Sequence, residues 1–248
     1  MSEFLHLIDR EKLPRHIAVI MDGNGRWAKK HGRSRIFGHK NGVQAVKNTT
    51  ESCAELGIDY LTLFAFSTEN WQRPEFEVNA LMALLVDTLN KEIKTLNKND
   101  IRLKAIGDVE KLPKKTYLSL MEGIRNTQNN QRMTLTLALN YSSRWEITKA
   151  LKSISKLVES GTIDPGMINE EFIEKHLETY GIPDPELLIR TSGERRISNF
   201  LLWQIAYTEL YFTEKFWPDF KKEDLYEAIV DFQHRERRFG KISEQIRV

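Results

Sequence analysis

The residue types best suited to chemistry gather in three short stretches. The first reads Asp22-Gly-Asn-Gly-Arg-Trp-Ala28. Gly23 and Gly25 let backbone N–H groups come close to a ligand, and a helix starting near Gly25 would add the partial positive charge of its N-terminus. Arg26 reinforces such an anion site. Asp22 has the wrong sign for a phosphate unless a cation lies between them. Mg²⁺ resolves that conflict, because it takes carboxylate and phosphate oxygens together. A tight turn with a capping Asp is the plainer reading of the same residues. Downstream, Arg33-Ser-Arg35-Ile-Phe-Gly-His39 could close over a phosphate, although a loop histidine is most often only solvated. The second stretch, Ser67-Thr-Glu-Asn-Trp-Gln-Arg-Pro74, brings together hydroxyls, an amide, an indole and a guanidinium. The third runs Arg190-Thr-Ser-Gly-Glu-Arg-Arg-Ile-Ser-Asn199 and is again glycine-containing and basic.

These stretches follow apolar, β-branched runs, and those runs must position them. His16–Met21, Tyr60–Phe66, Ile101–Ile106 and Met133–Leu139 read as buried strands, with Leu187–Ile189 and Glu209–Phe212 as shorter ones. Helical patterns lie between them, from about Gly42 to Leu56 (stopped by Gly57), from about Glu77 to Asn97, and over 113–128, 143–159, 169–179 and 221–238. Alternation of this kind predicts an α/β fold with a mostly parallel six-stranded sheet and helices on both faces. Ligands of such sheets bind beyond the carboxyl ends of the strands. Arg26, Arg73, Arg190 and Arg196, with Ser67 and Ser198, therefore meet at one edge. Arg forks match phosphate oxygens, so the expected ligand carries several phosphate groups.

An apolar counterpart accompanies them. Leu81, Leu84, Leu85, Leu89 and Ile93 form one stripe of the helix over 77–97, facing Leu63, Ala65, Leu135, Leu137 and Leu139 of the strands. Ordinary helix-on-sheet packing accounts for this pattern. The sharper alternative is a groove or tunnel able to hold a long hydrocarbon, which with phosphates at its mouth means an isoprenoid diphosphate.

Other classes fit less well. Gly23-x-Gly25-x-x-Ala28 resembles a dinucleotide-binding fingerprint, but residues 42–48 lack the acid that contacts ribose hydroxyls. No Gly-x-x-x-x-Gly-Lys-Ser/Thr run is present. With 37 Lys+Arg against 35 Asp+Glu, the net charge of +2 is not that of a dedicated nucleic-acid binder, and the basic His234-Arg-Glu-Arg-Arg238 is interrupted by an acid. The single cysteine, Cys53, excludes an intrachain disulfide framework and points to a reducing, cytoplasmic setting. The N-terminus lacks a signal-peptide apolar region, and the longest apolar run, Ala80 to Val86, is too short to span a bilayer. One continuous domain over 1–248 is expected, with 1–13 as an N-terminal extension and 241–248 as a C-terminal tail.

Taken together, Asp22-Gly-Asn-Gly-Arg-Trp-Ala28, Gly38-His39, Phe66-Ser-Thr-Glu-Asn-Trp-x-Arg-Pro74, Asn140-Tyr141, Arg190-Thr-Ser-Gly-Glu-x-Arg-Ile-Ser-Asn-Phe-Leu-Leu-Trp-Gln204 and Glu209-Leu-Tyr-Phe212 resemble the cis-prenyltransferase family, and within it the bacterial undecaprenyl diphosphate synthase branch. The resemblance covers about residues 14–240. It implies Mg²⁺-dependent, sequential addition of isopentenyl diphosphate to farnesyl diphosphate, giving a long cis-polyprenyl diphosphate that serves as precursor of a cell-wall lipid carrier. It also implies a homodimer, and transient contact with the inner face of the plasma membrane for product release. By motif, Asp22 would hold Mg²⁺ and help the allylic diphosphate leave, and Glu209 would assist the metal site. Gly23, Asn24, Gly25, Arg26 and Trp27, with Arg35 and His39, would bind the allylic diphosphate. Arg190, Arg196 and Ser198 would bind isopentenyl diphosphate. Ser67, Thr68, Glu69, Asn70, Trp71 and Arg73 would shape the reacting centre, with Asn70 beside Asp22 as a catalytic candidate. Arg238-Phe-Gly240 resembles the family's C-terminal Arg-x-Gly. The sequence departs from the family at Asn140-Tyr-Ser-Ser-Arg144, where two glycines are usual, and at Arg33-Ser34 in place of Leu-Pro. The alternative is a non-catalytic relative that binds polyprenyl phosphates as a subunit.

Overall fold

The computed structural model describes residues 3–236. Arg238-Phe-Gly240 and the 241–248 tail lie outside them. Strand β1 (His16–Ile20) is buried along its whole length, as a strand covered on both faces requires. It stands at the centre of a six-stranded sheet of order β3-β4-β2-β1-β5-β6. The other strands are β2 (Tyr60–Ser67), β3 (Ile101–Ile106), β4 (Met133–Tyr141), β5 (Leu187–Arg190) and β6 (Glu209–Phe212). Every pairing is parallel, so the sheet is wholly rather than mostly parallel. Its N-terminal extension carries two 3-10 turns, and Asp9 is clipped to Gln233 by a pair of hydrogen bonds of 3.1 and 2.7 Å.

The helices are α1 (Asn24–Lys30), α2 (Arg35–Leu56), α3 (Glu75–Lys98), α4 (Lys114–Thr127), α5 (Ser143–Glu159), α6 (Glu170–Glu174) and α7 (Lys222–Gln233). Alternate strand residues Ile17, Val19, Leu61, Leu63, Leu187 and Ile189 join the larger core with buried residues of α2, α3, α4 and α7. Ala18, Ile20, Leu188 and Ala138 face the opposite side, against Phe200, Leu201 and Trp145. The period-two alternation of a strand sorts the residues between the layers.

Three helices differ from the sequence expectation: α7, expected over 221–238, ends at Gln233, and two others differ more. Helix α2 begins at Arg35, not near Gly42. The early turns lack an apolar stripe, but Gly38 lets α2 lie against α1: a Cβ there would stand 2.0 Å from the Asn24 carbonyl oxygen. The expected helix over 169–179 is reduced to the five residues of α6. There the Glu178 amide donates to the buried Glu146 carboxylate at 2.9 Å, and the helical ladder gives way to tighter i→i+3 bonds such as Leu177 N–H to Glu174 O.

A topological switch point follows from the strand order. The chain leaves β1 toward β2 and leaves the adjacent β5 toward β6, on the other side. The crevice between the carboxyl ends of β1 and β5 is where such a sheet accepts a ligand.

Candidate active site

Asp22 lies two residues past the end of β1, fixed by its main chain. Its N–H donates to Thr191 Oγ1 at 2.9 Å, and its carbonyl accepts from Thr191 Oγ1 at 2.7 Å and from the Trp217 N–H at 3.0 Å. The chain then turns at Gly23, whose φ of 99° is ready for glycine and costly for other residues. A side chain here would also run into Phe216 and Ser192. Asp22 Oδ1 accepts the Gly23 N–H at 2.6 Å; Oδ2 accepts from Arg190 Nη2 at 2.9 Å and pairs with Arg26 at 3.2 Å. Partial burial pushes the Asp22 carboxyl up, but Arg190, the Gly23 amide and Arg26 outweigh that and hold it below its ordinary value.

Arg190 ends β5 with a side chain only 3% exposed. Its Nη1 donates to Ser198 Oγ at 2.7 Å and to the Arg196 carbonyl, while Nε is buried with no partner. The loop beyond holds Ser192, Ser198, Asn199 and Leu201 at positive φ. Strained non-glycine backbone of this kind concentrates at ligand sites. Glu194 in the same loop pairs with Arg26 at 2.7 Å and with Arg196. The loop after β2 meets this one where Asn199 Nδ2 donates to Glu69 Oε1 at 2.9 Å.

Another carboxylate, Glu77 in the first turn of α3, is buried against Arg73 at 2.9 Å and Arg35 at 3.1 Å, with His39 Nε2 at 3.9 Å. Burial above all, with the charges of Arg73 and Arg35, outweighs Glu77 and lowers the His39 pKa to about 4. His39 is therefore neutral near pH 7, and its buried Nε2 has no hydrogen-bond partner.

Behind this charged rim lies a cavity of about 740 Å³ between α2, α3 and the sheet. Asp22, Asn24, His39, Ser67, Glu69, Asn70, Arg73, Arg190, Arg196 and Ser198 line its polar part. Leu81, Leu84, Leu85 and Leu89 of α3 face Leu63, Ala65, Leu135, Leu137 and Leu139 across its apolar part. The leucine stripe is thus the wall of a cavity and not only packing; Ile93 turns instead toward Gly123 of α4.

Some of the expected site residues stand elsewhere. Trp27 donates its indole N–H to Asp219 at 2.8 Å and stacks on Phe37. Trp71 donates to Asn140 Oδ1 at 2.7 Å and, with Thr68, borders a smaller neighbouring recess. Asn70 Oδ1 accepts the Ser67 N–H at 3.1 Å, so it caps the 3-10 turn Thr68–Gln72 while lining the cavity. Glu209 opens β6 opposite Leu187, whereas Arg190 is opposite Phe212. It therefore sits about 10 Å down the sheet from the level of Arg190, paired with Arg235 at 3.1 Å, and does not meet Asp22 within one chain. Glu77 and Glu194 went unassigned from the sequence. Glu77 carried a signal, an acid four residues after Arg73 in a first helical turn; Glu194 carried none beyond its neighbours.

Among the described residues no three His, Cys, Asp or Glu side chains form a protein-only metal cage. A hard cation shared with phosphates does not need one: a single carboxylate plus phosphate oxygens and water is an ordinary Mg²⁺ donor set. Asp22, 30% exposed at the mouth, fits that role.

The fold and the site together set an arginine-rich mouth at the carboxyl end of a parallel sheet above an apolar cavity. Residues 20–240 match the family model described as putative undecaprenyl diphosphate synthase, and the chain belongs to this prenyltransferase family. It is 54% identical over 235 residues to an isoprenyl transferase of Chlorobaculum tepidum, covering 95% of this chain and 89% of that one. It is 50% identical over 237 residues to a Vibrio vulnificus protein named ditrans,polycis-undecaprenyl-diphosphate synthase ((2E,6E)-farnesyl-diphosphate specific), covering 96% and 94%. Among solved structures, lavandulyl diphosphate synthase from Lavandula x intermedia in complex with dimethylallyl diphosphate superposes with a TM-score of 0.91 at 39% identity, covering 93% of this chain and all of that one.

Proposed function

We propose that this transferase condenses isopentenyl diphosphate repeatedly onto farnesyl diphosphate, giving a long cis-polyprenyl diphosphate of the undecaprenyl class. One observation carries this reading: an arginine-rich mouth opens into a leucine-walled cavity of about 740 Å³. The name of the Vibrio relative supports farnesyl diphosphate as the primer. The Lavandula protein carries the name of a different product, so membership of the family does not by itself set the product.

In this reading the segment Gly23–Arg26, with Arg35 and His39, holds the allylic diphosphate. Arg190, Arg196 and Ser198 hold that of isopentenyl diphosphate. Glu194, now on Arg26 and Arg196, yields to phosphate oxygens, which match the guanidinium fork equally well. Breaking the allylic C–O bond sends its electron pair to the departing diphosphate. The isopentenyl double bond closes the new C–C bond, and loss of a proton restores an alkene. Guanidinium groups fixed in place before the reaction stabilise the charge that develops on the leaving group, and holding both substrates together removes much of the entropic barrier. Mg²⁺ held by Asp22 would supply further Lewis-acid stabilisation of that diphosphate. The growing chain enters the cavity between α2 and α3.

Homodimerisation, a cytoplasmic location with peripheral membrane contact, and the cell-wall carrier role belong to the same proposal. Among the described residues no helix is long and apolar enough to cross a membrane, and a product this apolar has to be handed to lipid. The test is incubation of purified protein with farnesyl diphosphate and labelled isopentenyl diphosphate, with Mg²⁺ or with EDTA, followed by chromatography of the extracted lipid. A metal-dependent ladder ending in one long product is expected; a folded sample that incorporates no label in either condition refutes the reading.

A further inference from the structure

Glu77 is a charged side chain buried to 96% at the edge of a cavity, and no role above accounts for it. Burying a carboxylate is costly unless it is paired and hydrogen-bonded. Here the partners come from two separate elements: Arg35 opens α2, and Arg73 lies in the loop between β2 and α3. Glu77 Oε1 accepts from Arg73 Nη1 at 2.9 Å, and its two oxygens meet Arg35 Nε at 3.1 and 3.3 Å. His39 is neutral, so it does not share this ion-pairing.

The atoms used are informative. Glu77 takes Arg35 by Nε, the inner nitrogen. Among the described residues neither Nη of Arg35 has a protein partner, and the guanidinium lies beside Gly25: a Cβ there would be 3.0 Å from Arg35 Cζ and 3.2 Å from Nη1. With Nε also at 3.3 Å, the Arg35 guanidinium is packed directly against the Asp22–Arg26 turn at Gly25. Without the carboxylate, two like charges would face each other across the same space and repel. Arg35, 60% exposed, and Arg73, 30% exposed, both have water within reach, so they would swing outward without unfolding the chain.

We propose that Glu77 is a positioning residue that ties Arg35 and Arg73 into one preset unit facing the allylic diphosphate. This rests on the function proposed above and deepens it. A negative charge beside a phosphate site would otherwise only weaken anion binding, so the two possibilities predict opposite signs.

The experiment compares wild type, Glu77→Gln and Glu77→Asp by turnover, by calorimetric binding of inorganic diphosphate and by thermal unfolding. Glu77→Gln is expected to lower kcat on the order of 10- to 100-fold and to weaken inorganic diphosphate binding about tenfold, with the KM for isopentenyl diphosphate changed less than about threefold. Glu77→Asp, which keeps the charge at a shorter reach, should recover part of both losses. In an Arg35→Ala background the Glu77→Gln loss should shrink, since residues acting as a unit are not additive. Tighter diphosphate binding by Glu77→Gln, turnover within about twofold of wild type, or full additivity with Arg35→Ala would overturn the inference. Should Glu77→Gln fail to fold, Glu77→Asp carries the test: unchanged kcat and diphosphate binding overturn the inference, and an intermediate loss supports it. A wild-type protein that binds inorganic diphosphate but never turns over refutes the proposed function, and the diphosphate series still decides the role of Glu77.

Discussion

The mouth of the cavity and its floor are built on opposite principles. The mouth is made from the ends of β1, β2 and β5 and the loops after them, each contributing two or more side chains, with non-glycine backbone at positive φ between Ser192 and Leu201. Its arginines are held at fixed distances by Asp22, Glu77 and Glu194. The floor is made from regular elements, a helix stripe against alternating strand residues, and any apolar side chain of suitable volume serves there. Chemistry thus depends on a few atoms at the mouth. Capacity depends on many interchangeable ones below, so the two should fail differently when altered.

The largest effect is expected at Asp22. Asp22→Ala removes the carboxylate proposed to work at the leaving group, and kcat should fall about 10²- to 10³-fold; steady-state kinetics with near-normal turnover would remove Asp22 from the mechanism. Arg196→Ala should act mainly on affinity, raising the KM for isopentenyl diphosphate on the order of tenfold with a smaller change in kcat. At the floor the expectation reverses. Leu137→Trp should leave the rate of the first condensations within a few-fold of wild type while shortening the longest product, read by chromatography; overpacking of this kind costs roughly 1–3 kcal/mol of stability where the site cannot yield. A product ladder unchanged by Leu137→Trp would mean that the chain does not reach β4.

The smallest effect concerns pH. Burial lowers both His16 and His39 to about 4 against an ordinary 6.5, the backbone hydrogen bond to Pro183 only partly offsetting this for His16. Below pH 6.5 the unfolded chain binds protons that the folded one refuses, so stability falls as pH drops from about 6.5 to about 4. Thermal unfolding over that range should show the loss, and His16→Gln should flatten part of it. His39 stays neutral throughout the upper window, so its titration should leave no inflection in diphosphate binding by the free enzyme between pH 6 and 8.

The same contrast governs what could be read from the chain alone. All six strands were legible: the inner four as apolar and β-branched runs buried along most of their length, the edge strands β3 and β6 as alternating or shorter half-buried ones. The leucines of α3 and the facing strand residues were legible as a set, though not whether they enclose space, since packing and a cavity wall share one periodicity. Arg190 was legible as a residue after a strand end, and the structure places it against Ser198 and Asp22. Glu77 and Glu194 escaped because their second arginines, Arg35 and Arg26, come from other elements and reach them only in the folded chain. The early start of α2 was hidden for a similar reason: the contact of Gly38 with Asn24, a tertiary effect, sets it. The end of the expected helix over 169–179 depended on Glu146, distant in sequence.

The most direct test of this division of labour is a crystal structure with a non-cleavable farnesyl diphosphate analogue. The account predicts the diphosphate between the Asp22–Arg26 turn and Arg35, with the hydrocarbon running between α2 and α3 toward Leu85 and Leu137. A diphosphate seated away from that turn, or a farnesyl chain lying outside the leucine-walled cavity, would contradict it.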